Sequence, residues 1–160
     1  MVGQVKPYLV VSIFLRFLNV SMGLTYHYGD GSYFVGSVDG VGRPREGVQY
    51  NREGRVSYNG SYVGGVYHGE GIMYGEEGET YQGHFRGGQA SGRGVWSNGR
   101  TAERVVGLFE NGTVSGPAVW DRPGKGVRLE GVFKRGHAHG AGVVIWDDIG
   151  YRLGFKLYQY

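Results

Sequence analysis

Over most of this chain, apolar and polar positions alternate in short bursts. In Tyr81-Gln82-Gly83-His84-Phe85 the aromatic and glycine positions fall at i, i+2 and i+4, with polar residues between them. Period two puts alternate side chains on one face of a pleated strand. Each burst runs into turn-forming residues, such as Arg86-Gly87-Gly88-Gln89 or Glu110-Asn111-Gly112-Thr113. Glycine and Asn-Gly supply the positive φ that tight hairpin turns need. A second short strand is predicted after each turn, at Gly71-Ile72-Met73-Tyr74, Gly94-Val95-Trp96, Ala118-Val119-Trp120 and Gly142-Val143-Val144-Ile145-Trp146. These strands close on further turn signals, Glu77-Gly78, Asn98-Gly99 and Gly124-Lys125-Gly126. No stretch between residues 30 and 150 carries a helical period.

The bursts recur at fixed intervals. Gly36, Gly60, Gly83, Gly107, Gly131 and Gly154 follow one another at steps of 24, 23, 24, 24 and 23 residues. A period in this range marks one unit copied and stacked. Tyr58-x-Gly60-x-Tyr62-x-x-Gly65-x-x-x-Gly69-x-Gly71 matches Tyr81-x-Gly83-x-Phe85-x-x-Gly88-x-x-x-Gly92-x-Gly94 position for position. Leu129 to Gly142 is a third copy, and Val105 to Ala118 a fourth with one glycine replaced. The third-position glycine has a packing reason: an aromatic two residues away on the same face needs room to lie flat across the sheet. The predicted object is all-β, a single-layer array of about five to six stacked hairpins in one long twisted antiparallel sheet. Five units at about 4.8 Å per strand give a ribbon about 50 Å long.

The residues that recur resemble the MORN repeat (membrane occupation and recognition nexus), Tyr-x-Gly-x-aromatic followed by His-Gly-x-Gly. Tyr58 to Gly71 is a close match, with His68 before Gly69, and the last full unit keeps His139 before Gly140. The resemblance covers about residues 33–146. In the first unit Phe34-x-Gly36-x-Val38 lacks the fifth-position aromatic and Arg45 replaces the third glycine, so a looser hairpin is expected there. The resemblance implies an elongated scaffold that holds partner proteins in cytoskeletal, ciliary or junctional assemblies, in some members fused to an enzyme domain. It also implies phospholipid contact, which no basic cluster in this sequence supports.

The expected organisation is an apolar N-terminal segment, 1–22, and an array over 23–160. The units lie near 23–33, 34–57, 58–80, 81–104, 105–128 and 129–151, with a partial one at 152–160. Residues 1–29 contain no Asp or Glu and only Lys6 and Arg16 as basic residues. Pro7 to Val20 is strongly apolar, with Ser12, Arg16 and Asn19 at the spacing of a narrow polar helix stripe. A secretory signal, a mitochondrial presequence, a membrane span and a retained element compete here. Arg16 interrupts the first, two basic residues are few for the second, and the apolar run falls short of the ~20 residues of the third. A retained element that caps the sheet edge or docks on a partner is favoured. At the other end Arg152 and Lys156 stand where earlier units carry Tyr, Leu or Phe, which reads as a charged cap against edge-to-edge growth. Phe155, Tyr158 and Tyr160 offer an alternative docking surface there.

Composition narrows the chemistry. Thirty-three glycines are interleaved with thirteen Tyr, seven Phe and three Trp, which favours packing over disorder. No cysteine is present, so disulfides and thiolate chemistry are excluded. The net charge of +3 is dispersed, and no nucleic-acid patch can be read from it. His137-Ala138-His139 lacks acidic or thiol neighbours for a metal site, and Asp147-Asp148 reads as a solvated turn. Gly87 to Gly92 lacks the Lys-Ser/Thr of a phosphate loop. The sequons at Asn19, Asn59 and Asn111 are explained better by turns in the last two cases. No cofactor, metal or catalytic residue is expected. The candidate partner-binding stripe is Tyr62, Phe85, Trp96, Phe109, Trp120 and Phe133. The expected function is a non-enzymatic scaffold in a cytoskeletal or axonemal assembly, located in cytoplasm, cytoskeleton or cilium. The alternatives are a peripheral membrane adaptor anchored through the N-terminus, with a membrane-surface or mitochondrial location, and a targeting subunit of an enzyme complex.

Overall fold

The computed structural model describes residues 9–10, 23–146 and 149–157. Among them, thirteen strands form one antiparallel sheet whose spatial order is the order of the chain, with no crossover. It begins with β1 (Leu9–Val10), β2 (Leu24–His27), β3 (Tyr33–Val38) and β4 (Pro44–Tyr50). The centre holds β5 (Val56–Val63), β6 (Val66–Tyr74), β7 (Glu79–Arg86), β8 (Gln89–Asn98), β9 (Glu103–Glu110) and β10 (Thr113–Arg122). A 3-10 turn, Pro123–Lys125, leads to β11 (Val127–Lys134), β12 (His137–Trp146) and β13 (Tyr151–Leu157). The all-β, open-sheet expectation holds. At about 4.8 Å per strand the described sheet runs for about 60 Å.

The tight turns are two residues long. Gly64-Gly65, Gly87-Gly88, Asn111-Gly112 and Arg135-Gly136 all have positive φ at both positions, the backbone twist that matches flanking strands. Each following turn is tied to the preceding hairpin. Gly88 N–H donates to the Tyr67 carbonyl at 2.9 Å, Gly112 to Ala90 at 3.0 Å and Gly136 to Val114 at 2.9 Å. The opposite rim is made of longer loops closed by side chains. Asn51 Oδ1 accepts from the Glu53 and Arg55 amides at 3.1 and 2.8 Å, and Asn98 Oδ1 from Arg100 and Thr101 at 2.9 and 3.1 Å.

Second strands are longer than predicted, because the His-Gly-x-Gly stretch lies inside them as a bulge. Gly60 pairs with Gly71 while Tyr62 pairs with Tyr67, so Ser61 alone faces His68, Gly69 and Glu70. The same two-residue excess recurs between β7 and β8, β9 and β10, and β11 and β12. Gly69, Gly92, Gly116 and Gly140 take the left-handed conformation there, at φ 75, 71, 95 and 71°. Between β3 and β4 the excess is one residue, Arg45 itself, so the first hairpin departs from the others as its sequence does.

Gly154 needs correction as a repeat-defining glycine. Across the sheet, Gly36, Gly47, Gly60, Gly71, Gly83, Gly94, Gly107, Ala118, Gly131 and Gly142 form one cross-strand row. The row ends on Phe155, and Gly154 pairs instead with Val143 on the other face. A one-residue offset flips every side chain of a strand. Arg152 and Lys156 therefore lie on the face opposite Leu153 and Phe155. Beyond β1, which pairs with Tyr26 and Thr25, the expected N-terminal cap lies outside the described residues, as do Asp147, Asp148, Tyr158 and Tyr160. Among the described residues no helix is long and apolar enough to cross a membrane.

Candidate functional site: the two faces of the sheet

One face is filled by its own rings. Tyr58 lies flat over the Gly60–Gly71 pair, its hydroxyl donating to the Ser61 carbonyl at 3.0 Å. Tyr81 does the same over Gly83–Gly94, donating to the His84 carbonyl at 3.1 Å. A Cβ on Gly71 or Gly94 would run into the tyrosine hydroxyl, and one on Gly83 would stand 2.6 Å from the Arg93 carbonyl. The fifth-position rings wedge edge-on between these flat ones. Phe85 meets Tyr58 and Tyr81 at 5.0 and 5.2 Å, Tyr62 meets Phe34 and Tyr58 at 5.3 and 5.2 Å, and Phe109 meets Tyr81 at 4.8 Å. Edge-to-face contacts of this kind add about 0.5–1.5 kcal/mol per pair beyond area burial.

Burial governs the phenols. It pushes Tyr58 and Tyr81 up to about 12, aided by the neighbouring Glu70 carboxylate. Tyr62 is raised further, again mainly by burial, with Tyr67, Tyr28 and Tyr58 around it. Unlike Tyr58 and Tyr81, the Tyr62 hydroxyl is buried without a hydrogen-bond partner.

The predicted stripe is thus brought together, but as core. Tyr62, Phe85, Phe109 and Phe133 are only 2–7% exposed, and Trp96 and Trp120 pack half-buried against them. What this stripe offers a partner comes from the two indoles. Of the six predicted glycines, five line the same face beneath these rings, and Gly154 does not.

On the ring face Met73, the cross-strand partner of Tyr58 and Tyr81, is 39% exposed, and a second accessible apolar patch lies on the opposite face, where sequence reasoning did not look. Val95, Val106 and Val119 are successive cross-strand partners in β8, β9 and β10. Beside them stand Leu108, Pro117 and Val132, with Val106, Leu108 and Val132 exposed by 39, 41 and 42%. A depression of about 590 Å³ opens among Arg93, Val95, Val106, Leu108 and Pro117. The signal was in the sequence. Val105-Val106-Gly107-Leu108-Phe109 is apolar at every position, where Tyr81-Gln82-Gly83-His84-Phe85 alternates. At the sheet edge, Tyr151 and Leu153 are 54 and 48% exposed. His137 and His139 pair with Lys134 and Val132, and no group of potential metal ligands gathers among the described residues. In comparison with known proteins, the chain matches no family model and no curated protein.

Proposed function

We propose that this chain is a non-enzymatic scaffold of the MORN kind, five to six hairpin units long, that binds partner proteins in a larger assembly. The observation that carries the reading is the division of labour between the faces. One face is largely filled by the ring core, while the other has no such core and keeps Val106, Leu108 and Val132 in solvent. An apolar surface that the chain leaves uncovered marks an interaction site. The repeat resemblance directs the reading toward a cytoskeletal or axonemal assembly, and Trp96 and Trp120 add contact surface on the ring face.

The test is affinity purification of the tagged full-length chain from its native cells, with partners identified by mass spectrometry. Stoichiometric recovery of a defined set of subunits, retained in the detergent-insoluble fraction, is the expected result. A monodisperse monomer with no stoichiometric partner would defeat the reading.

A further inference from the structure

We infer that the face opposite the rings, along the seam of β8 and β9, binds an extended peptide segment of alternating acidic, apolar and acidic side chains. This inference rests on the scaffold reading and names the chemistry of one partner.

Three cross-strand pairs follow one another along the seam: Arg93 with Leu108, Val95 with Val106, and Ser97 with Arg104. All six side chains stand on the open face. The middle pair is apolar, and an arginine stands at each end. Four residues of strand separate the two arginine positions, about 13 Å. An extended peptide advances at the same rise and turns alternate side chains to one side. Residues i and i+4 of such a segment therefore reach Arg93 and Arg104, while residue i+2 lies over Val95 and Val106. The depression beside Arg93, floored by Leu108 and Pro117, receives an apolar side chain of ordinary size.

The charges around the seam leave both arginines available. Among the described residues, neither Arg93 nor Arg104 enters an ion pair, and both are exposed. Most carboxylates of this face are held elsewhere. Glu130 pairs with Arg128 at 2.9 Å, Glu70 with His84 at 2.9 Å, and the Ser115 hydroxyl donates to Glu110 at 3.4 Å. Asp121 is the cross-strand neighbour of Arg104 on the side away from β8 and forms no ion pair with it. A guanidinium that can take both oxygens of a carboxylate gives the ligand orientation as well as attraction.

The experiment is an amide-shift NMR titration of the full chain with the synthetic peptide Gly-Glu-Thr-Leu-Thr-Glu-Gly. A control peptide of the same composition carries its two glutamates side by side. Saturable shifts confined to β8, β9 and β10 are expected with the spaced peptide, weakening as salt is raised. The double charge reversal R93E/R104E should bind about tenfold more weakly, since each exposed pair contributes up to about fivefold and the reversal adds repulsion. Val106→Glu should also weaken binding, through the floor. Both sets of side chains are exposed, so thermal melts of the variants should match the parent. Equal binding of the two peptides, an unchanged affinity in R93E/R104E, or shifts that never saturate would overturn the inference. The same double variant recovering its full set of partners from cells would also overturn it, while leaving the scaffold reading intact.

Discussion

In the first half of the sheet a large ring covers each glycine pair, whereas in the second half smaller side chains share the same groove. Phe34, Tyr58 and Tyr81 lie over Gly36–Gly47, Gly60–Gly71 and Gly83–Gly94. Where Val105 replaces the ring, Ala118 replaces one glycine, and its methyl fills the space that a Cβ on Gly107 would need. Where Leu129 replaces it, Phe155 reaches over from the neighbouring strand, and a Cβ on Gly142 would meet that ring at 2.5 Å. What the repeat preserves is the filled volume of the groove, since interiors tolerate little void. The residue that fills it is free to change.

The strongest way to break this comparison is to convert one kind of unit into the other. Tyr81→Val should cost about 3 kcal/mol, by cavity formation over Gly83 and Gly94. Gly94→Ala alone should cost about 1–3 kcal/mol, because its methyl meets the Tyr81 ring. Together the two reproduce the Val105–Ala118 arrangement, so the double variant should recover about 1–2 kcal/mol relative to additivity. Urea unfolding followed by circular dichroism gives all three values, and strict additivity would mean that the groove is not a shared volume.

Alkali should separate the two halves more gently. A phenol raised by burial holds its proton more tightly in the fold than in the unfolded chain. Its contribution is therefore intact below pH about 10 and is lost as pH rises through its folded value. For Tyr58 and Tyr81 that value is about 12. The flat positions of the later units, Val105 and Leu129, carry no such group; Trp120 and Trp146 lie in β10 and β12, and once Trp96, the cross-strand partner of Tyr81, is replaced by Phe they alone report on that half. Tyrosinate absorbance and loss of circular dichroism should therefore precede the shift in tryptophan emission during an alkaline titration. Coincident transitions would remove the distinction between the halves.

The smallest effect sits at the fifth position. Tyr62 is the sole tyrosine among Tyr62, Phe85, Phe109 and Phe133, and its hydroxyl is buried without a partner. Tyr62→Phe should be neutral or stabilising by up to about 1 kcal/mol, since it removes an unsatisfied polar group at nearly constant shape. A loss of more than about 1 kcal/mol in thermal or urea unfolding would show that the hydroxyl is bonded after all.

The strands, the places of the tight turns and the use of the third-position glycine were legible because each rests on local geometry repeated several times. The bulge was not, because Gly69 or Gly92 follows a turn so closely that it reads as part of it. Only the register distinguishes the two. Gly154 misled for a related reason: matching by residue identity ignores which face a residue occupies, and a one-position offset was enough to move it. The candidate site was half visible. Its aromatics stood out by size, although size is what draws them into the core. The valines of the other face were passed over because each adjoins a repeat glycine or its alanine substitute, and only the register shows which of them are neighbours.

Strand order that follows chain order has one more consequence. Losing or gaining a repeat leaves every remaining neighbour in place, so copy number can drift in evolution without redesign of the fold. Each repeat contributes two strands, about 10 Å of length. A molecule assembled in this way is a ruler, and the number of its divisions sets how far apart two things held along it will be.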